Sequence, residues 1–261
     1  MYIEAERKAQ SAWHCWDYGD TSVHIHWMHV IEGDLYMVVS RGTQTFLEKT
    51  ELRYELSDDK HPYQICLDQQ VPLTGVYDST SDTTTWTTPY LHNSTAAVIL
   101  STDFPAGQVG ERLTVTYPTT TTIRADGDLS AGVAIVGQPF TQTVQLSKLF
   151  VREAQNTQRT ITSGRFQLKR IQVNFQYTGF FNVKITPAFR AEQTFTFIGR
   201  LIGSADNVIG AAAISDHGSF SIPIQTEAST ATIKIENPTE KPMTITSIDY
   251  SGFFNEVTRA E

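Results

Sequence analysis

The sequence predicts an all-β chain, an antiparallel meander or propeller blade followed by two β-sandwich-like domains. Thr is abundant and Val, Ile, Phe and Tyr are common, residue types that suit a pleated, half-buried surface. Apolar residues recur with period two over strand-length runs, and long stripes of period 3.6 are absent. Turn signals interrupt those runs at intervals of roughly 8 to 12 residues, the rhythm of sandwiches and propellers.

The clearest pattern is GRFQLKRIQVNFQYTGFFNVKI, from Gly164 to Ile185. Ile171, Val173, Phe175 and Tyr177 alternate, and so do Phe181, Val183 and Ile185. Thr178-Gly179 stands between them, where a tight turn needs a residue tolerant of positive φ. The segment therefore reads as an amphipathic β-hairpin. Phe166 and Leu168 are out of phase with Ile171 and Val173, which predicts a β-bulge at Lys169-Arg170.

The remaining elements divide into three stretches. Residues 1–56 read as a meander of blade type. Val23, Ile25 and Trp27 alternate, Glu32-Gly33-Asp34 turns, Leu35 to Val39 extends, Arg41-Gly42 turns, and Thr45 to Leu47 extends again. Residues 57–150 read as a Thr-rich β domain with long loops at Ser79 to Pro89 and Pro118 to Thr122. Ala96 to Leu100 is a buried strand there, Leu113 to Tyr117 an alternating one, and Asp126-Gly127-Asp128 a turn. Val133 to Val136 and Phe140 to Leu146 follow as strands. Residues 151–261 read as a C-terminal β-sandwich. Its further strands are Phe195 to Phe197, Phe220 to Ile224, Thr232 to Ile235 and Met243 to Tyr250, with a turn bounded by Asn237-Pro238 and Glu240-Lys241-Pro242. Tyr177-Thr-Gly-Phe-Phe181 matches Tyr250-Ser-Gly-Phe-Phe254, as equivalent strand ends would.

Charge limits the partners. The chain has 20 basic and 28 acidic residues, a net charge of −8. A groove that grips nucleic acid needs clustered Lys and Arg to displace counterions. A channel that only passes DNA must not hold it, and a neutral or acidic wall suits that task. The two cysteines, Cys15 and Cys66, permit one disulfide but read as reduced thiols of a protein folded in a cytosol. No run of about 18 apolar residues predicts a membrane span. The N-terminal MYIEAERKAQ lacks the apolar core of a signal peptide and opens in mid-pattern, as a fragment of a longer chain would.

Chemistry-bearing motifs are sparse. His24, His26 and His29 form HxHxxH, which on a regular strand places the first two on one face and the third on the other. That pattern fits polar positions opposite Ile25 and Trp27 better than a tetrahedral zinc site. Asp126 and Asp128 are too few carboxylates to specify calcium. Ser215-Asp216-His217 has triad residue types at positions that cannot form a triad among themselves, and no GxSxG elbow occurs. Cys15 among Trp13, His14 and Trp16 reads as part of a packed aromatic strand, and Trp13, Trp16, Tyr18 and Trp27 as a core or a subunit interface. The expectation is a non-enzyme without cofactor or metal.

Several segments, in order, resemble the tail nozzle proteins of short-tailed bacteriophages, also called tail tubular protein B. The Gly164 hairpin resembles the "GR(L/F)QL(R/K)…V…Y…TG(Y/F)F…V" signature. Gln10 to Trp16 resembles "Q-S-(A/S)-W-H-x-W", and Gly33 to Glu48 resembles "G-x-L-Y-x-(V/L)…(Y/F)-L-E". Ala131 to Phe140 resembles "G…V-G-x-x-(F/Y)". Ile248 to Phe254 resembles the closing "(E/D)-(W/Y)-x-G-(F/Y)", with Tyr250 where the family is Trp-rich. The resemblance spans almost the whole chain and corresponds to roughly the C-terminal third of a nozzle protein. It implies a structural virion component: a homo-hexameric ring below the adaptor ring of tail tubular protein A. It also implies binding of tail fibres, transient passage of phage DNA, a place in the virion tail, and assembly in the host cytoplasm. The signature positions it carries over are Trp13, Trp16, Gly164, Gly179, Phe181, Gly252 and Phe253, all in structural roles. The competing expectation is a carbohydrate-binding or polysaccharide-degrading tail protein, which needs paired carboxylates or stacked aromatics in a groove.

Overall fold

The computed structural model describes residues 23–50, 60–92, 94–105, 107–149, 151, 161, 164–199 and 213–256. These residues form strands, turns and loops without a helix, so the chain is all-β as the period-two patterning requires. It divides into two compact units, Met1–Glu55 and Leu56–Glu261.

The first unit contains a three-stranded antiparallel sheet of β1 (Val23–Ile31), β2 (Asp34–Arg41) and β3 (Gln44–Thr50), in that order. Its turns fall at Glu32-Gly33, both at positive φ, and at Gly42, as the sequence predicts. Met37 and Val39 on β2 are buried. Arg41 clasps Glu48 with two hydrogen bonds, Nε at 2.7 Å and Nη2 at 3.1 Å. One expectation fails here. A bulge between Ile25 and Trp27 interrupts the predicted alternation. Ile25 pairs with Val39, and Trp27 pairs with Val38 on the opposite face.

Among its described residues the second unit holds four sheets that form two sandwiches. In the first, β4 (Asp68–Thr74), β9 (Val133–Gln138) and β7 (Ala97–Leu100) lie in the order β4-β9-β7. They face a sheet of β5 (Val76–Asp78), β6 (Thr83–Thr87) and β8 (Thr122–Asp126). The core between them joins Trp86, Ile123 and Ala125 to Ala96, Val98, Ala134 and Val136. The unbroken apolar runs at 96–100 and 133–136 now have a cause. Val98 and Val136 face this core, while Ile99 and Ile135 face a second cluster with Tyr63, Ile65, Leu67, Tyr177 and Ile214. A sheet buried on both faces reads as continuous hydrophobicity instead of alternation.

Two expectations for this region are corrected. The Thr-rich segment at 79–89 is not one loop. Thr83–Thr87 is the central strand of its sheet, because β-branched Thr pairs well with neighbouring strands and Trp86 supplies a buried anchor. Leu113 to Tyr117 is not a strand: it makes one isolated bridge, Thr116 to Arg124, and a second, Ile99 to Arg112, falls just before it. Leu113, Val115 and Tyr117 still pack on the core, which explains the alternation that imitated one.

In the second sandwich, β10 (Gln142–Gln145), β15 (Thr232–Asn237), β12 (Phe181–Thr186) and β13 (Gln193–Phe197) form one sheet. The other has the order β14-β11-β16, from β14 (Ser215–Glu227), β11 (Gly164–Thr178) and β16 (Thr244–Glu256). The bulge predicted at Lys169-Arg170 is present. Register shifts between Leu168 and Arg170 against both neighbours, so Leu168 and Ile171 both reach the core. Phe140 is outside β10, which is shorter than the 140–146 strand expected.

The hairpin predicted at 164–185 is not a hairpin. β11 and β12 belong to different sheets, and the chain crosses the core between them. A hairpin would set the apolar faces of both strands side by side, whereas here they meet across the layers. Phe175 stands 5.6 Å from Phe181 and 4.5 Å from Phe197, and Phe220 joins both of the latter at 5.8 Å. Positive φ falls on Tyr177 instead of Gly179. Gly179 is needed for space, since a Cβ there would lie 2.7 Å from Ile214 Cδ1 and 2.8 Å from Lys241 Cβ. Consequently the matching segments at 177–181 and 250–254 are not equivalent. The first crosses between sheets and the second runs inside β16.

The turn predicted after β15 joins the two sandwiches. Asn237 is fully buried; its Nδ2 donates to Lys241 O at 2.6 Å and its Oδ1 accepts from Thr239 N at 2.9 Å. The turn thereby places Glu240, nearly buried, against the first sandwich. Glu240 O accepts from Cys66 N at 2.7 Å, and Arg112 Nη1 donates to Glu240 Oε2 at 3.3 Å. Arg112 is half-exposed, so the pair is screened on one side. Arg112→Ala leaves a buried carboxylate without its cation, and a loss of about 1–3 kcal/mol is expected. Urea denaturation measures it. Adding Glu240→Gln should recover part of the loss, and a fully additive double mutant would refute the coupling.

Candidate assembly surface

β11 and β16 bring three of the signature positions to one end of the second sandwich. Gly164 pairs with Glu256, and Gly252 pairs with Leu168 beside the bulge. Neither position has room for a Cβ. At Gly164 it would strike the Phe254 ring, and at Gly252 the Gln167 carbonyl oxygen. Phe253 is 56% exposed with Lys169 Nζ 4.7 Å above its ring, within cation–π range. Tyr250, 51% exposed, meets the edge of Phe166 at 5.9 Å. Leu146, Ser147, Leu149, Ile171, Ile248 and Tyr250 line a small groove beside it, of about 120 Å³. Gly179 and Phe181 lie at the other end of β11, where the chain crosses the core. Trp13 and Trp16 lie outside the described residues, as do Cys15 and Tyr18.

The outer face of this sheet is polar. Asn174 Nδ2 donates to Ser247 Oγ at 2.8 Å and to Asp249 Oδ2 at 2.7 Å, and Gln172 Nε2 donates to Asn174 Oδ1 at 3.1 Å. Arg165, Lys169 and Arg170 are exposed on β11 beside β16. None of these three forms an ion pair among the described residues.

The sparse catalytic motifs gain little from the tertiary structure. Trp27 and His29, two positions apart beyond the bulge, share a face as the sequence reading has them, and their rings stack at 5.5 Å. His26 Nε2 meets Ser40 Oγ at 2.6 Å, a contact no sequence motif signalled. That hydroxyl is also shared with Thr45 at 3.0 Å, and both groups are exposed. A hydrolytic site also needs a carboxylate behind the histidine and oxyanion donors ahead of the serine. Ser215 Oγ donates to His217 O at 3.3 Å, a local bond within β14. Asp128 accepts from Ser130, as a turn carboxylate does. Among the described residues no three His, Cys, Asp or Glu side chains form a metal-holding group. No described helix is long and apolar enough to cross a membrane.

Sequence motifs also missed the titratable groups at the junction of the sandwiches. Burial pushes the Cys66 thiol up, with the Glu240 carboxylate adding to it and a hydrogen bond to Gln142 opposing it. Burial, then Glu240, raises the Tyr63 phenol far above its ordinary value. The folded chain thus holds the Tyr63 proton more tightly than the unfolded chain. This group's contribution to stability is complete below the unfolded tyrosine value of about 10 and is lost as pH rises beyond it. Between about pH 9 and about pH 11 the wild type should lose more stability than Tyr63→Phe. Equal losses in chemical denaturation at the two pH values would count against this assignment.

Together these features define an all-β scaffold whose distinctive exposed features are an aromatic, cation-flanked strand edge and a polar sheet face. The profile of the bacteriophage nozzle protein family matches residues 1–260, and the chain belongs to that family. It is also similar to tail tubular protein gp12 of Escherichia phage T7, with 23% identity over 263 residues covering 97% of this chain. The chain spans 32% of the length of that relative.

Proposed function

We propose that this chain is a structural subunit of a phage tail, part of a nozzle of the tail tubular protein B type. Copies assemble as a homo-hexameric ring below an adaptor ring of tail tubular protein A. The ring forms a conduit through which phage DNA is ejected, and its outside carries tail fibres. The virion tail is its location, reached after assembly in the host cytoplasm. The observation that carries this reading is the family match along 1–260, on a chain that is all-β throughout its described residues. The net charge of −8 supports a wall that DNA passes without being held. In this reading the signature residues Trp13, Trp16, Gly164, Gly179, Phe181, Gly252 and Phe253 shape and pack the subunit. The chain works as three domains, 1–56, 57–150 and 151–261, and corresponds to the C-terminal part of a nozzle protein.

Mass spectrometry of purified virions, followed by cryo-electron microscopy of the tail, tests this. The expected result is the chain's peptides in stoichiometric amount and its density in a six-fold ring. Absence from the virion would sink the reading. Release of reducing sugar from host polysaccharide would favour the carbohydrate-active alternative instead.

A further inference from the structure

We propose that the free edge of β16 is the seam occupied by a second copy of this chain, which lays its β5 edge and aspartate turns along it. The inference rests on the reading of the chain as a ring subunit.

The sheet β14-β11-β16 has two edges of unlike character. β14 carries Pro223, which has no N–H to offer, and proline on an edge strand guards against pairing. β16 runs for 13 residues, TITSIDYSGFFNE, with no Pro, Lys or Arg. Its protection is confined to a bulge at Thr246 and to the acidic Asp249 and Glu256, and between those carboxylates the row of amides and carbonyls past Tyr250 and Phe253 is open. Tyr250 pairs with Ile171 on the core side and Phe253 pairs with Gln167 on the outer side. Apolar surface is therefore exposed on both flanks of one strand. Arg165, Lys169 and Arg170 add positive charge beside it, on a chain whose net charge is −8.

The complement lies in the first sandwich. β5 is itself an edge strand, and its Val76 is 73% exposed. The adjoining turns gather acid. Thr83 pairs with Asp78 on one side and Asp126 on the other, and Tyr77 Oη donates to Asp82 Oδ1 at 2.8 Å. Asp78, Asp82 and Asp128 all bear electrostatically on that Tyr77 hydroxyl. Arg124 lies within reach of Asp78, which leaves the tip acidic on balance. The two surfaces match in three respects: strand edge with strand edge, Val76 with Phe253 on the outer flank, and the aspartates with the neighbouring Lys169 and Arg170. Because the surfaces differ, the contact is head-to-tail, the kind of contact that builds a ring when the rotation between successive copies closes.

The test uses two charge-reversed variants of the whole chain, both altered only at exposed positions. One carries Lys169→Glu with Arg170→Glu, the other Asp126→Lys with Asp128→Lys. Mass in solution is measured by light scattering behind gel filtration, with circular dichroism to verify folding. Wild type should form oligomers, and each variant alone should lose association at least about tenfold. An equal mixture of the two should regain it, because one copy still offers an intact edge and the other an intact tip. Val76→Asp is a second tip variant with the same expected loss; mixed with the edge variant it should regain one contact per pair and stop at a dimer. A tip variant that assembles normally overturns the proposal, since it places the seam elsewhere or between two β16 edges. A mixture that stays monomeric, or a wild-type chain that is monomeric at every soluble concentration, overturns it too. Neither result touches the tail-subunit reading, which detection in virions decides separately.

Discussion

Phe181→Ala is expected to cost about 3–5 kcal/mol, among the largest effects of any single substitution in this chain. Phe181 is fully buried where the chain enters β12, stacked on Phe197 at 4.9 Å and edge-on to Phe175 at 5.6 Å. Phe220 approaches at 5.8 Å from the facing sheet. Truncation removes the transfer free energy of the ring and the aromatic pairings, each worth about 0.5–1.5 kcal/mol. The cavity also lies between two sheets whose separation is fixed by other contacts, which limits collapse. Thermal unfolding should register roughly 2–4 °C per kcal/mol for a unit of this size. Phe181→Leu should retain most of the stability, because shape is lost but little volume. A Phe181→Ala protein within about 1 kcal/mol of wild type would show that the crossing is not held by this cluster.

Trp86→Ala should cost a similar amount, about 3–5 kcal/mol. Trp86 is fully buried on the central strand β6, against small residues: Ala96, Ala125 and Ala134. Gly75 lies so close that a Cβ there would stand 3.0 Å from the indole Nε1. Small neighbours cannot lean inward to refill the space. Trp86→Phe separates packing from polarity. The indole Nε1 has no acceptor among the described residues, so removing it forfeits no hydrogen bond. Trp86→Phe is therefore expected to cost well under half of Trp86→Ala in the same denaturation experiment. Equal costs would mean that the indole nitrogen is satisfied after all.

Both residues bear on function through rigidity. In the proposed ring, a subunit transmits position from one seam to the next only if its sandwiches do not shear. The Phe181 cluster holds the second sandwich, Trp86 holds the first, and Glu240 with Arg112 ties them together. The proposed β5 and β16 seams stand on these two cores.

The predicted bulge shows what local pattern determines. Leu168 and Ile171 are separated by an odd number of positions, yet both are greasy, and only an extra residue lets both face inward. The turns at Gly33, Gly42 and Gly127 were equally legible, because each needs the positive φ that glycine takes without strain. Buried strands at 97–100 and 133–138 were plain from their apolar runs. Of the assembly surface, the sequence marked Gly164, Gly252 and Phe253 but not the opposing character of the two sheet edges, which depends on strand order.

By itself, then, the sequence determined the all-β class, most strand positions, the bulge, and membership of a nozzle-like family. The tertiary structure decided which strands pair. Thr178-Gly179 looks the same whether the chain returns along its own sheet or crosses to another. The choice was made by Phe175, Phe181, Phe197 and Phe220, which bury far more surface facing one another across a core than side by side on one face. It likewise decided that Thr83–Thr87 is an internal strand, because Trp86 finds its cavity only when β5, β6 and β8 close over β4, β9 and β7. Period-two spacing reports that a strand has a buried face, and only the assembled layers say what that face meets.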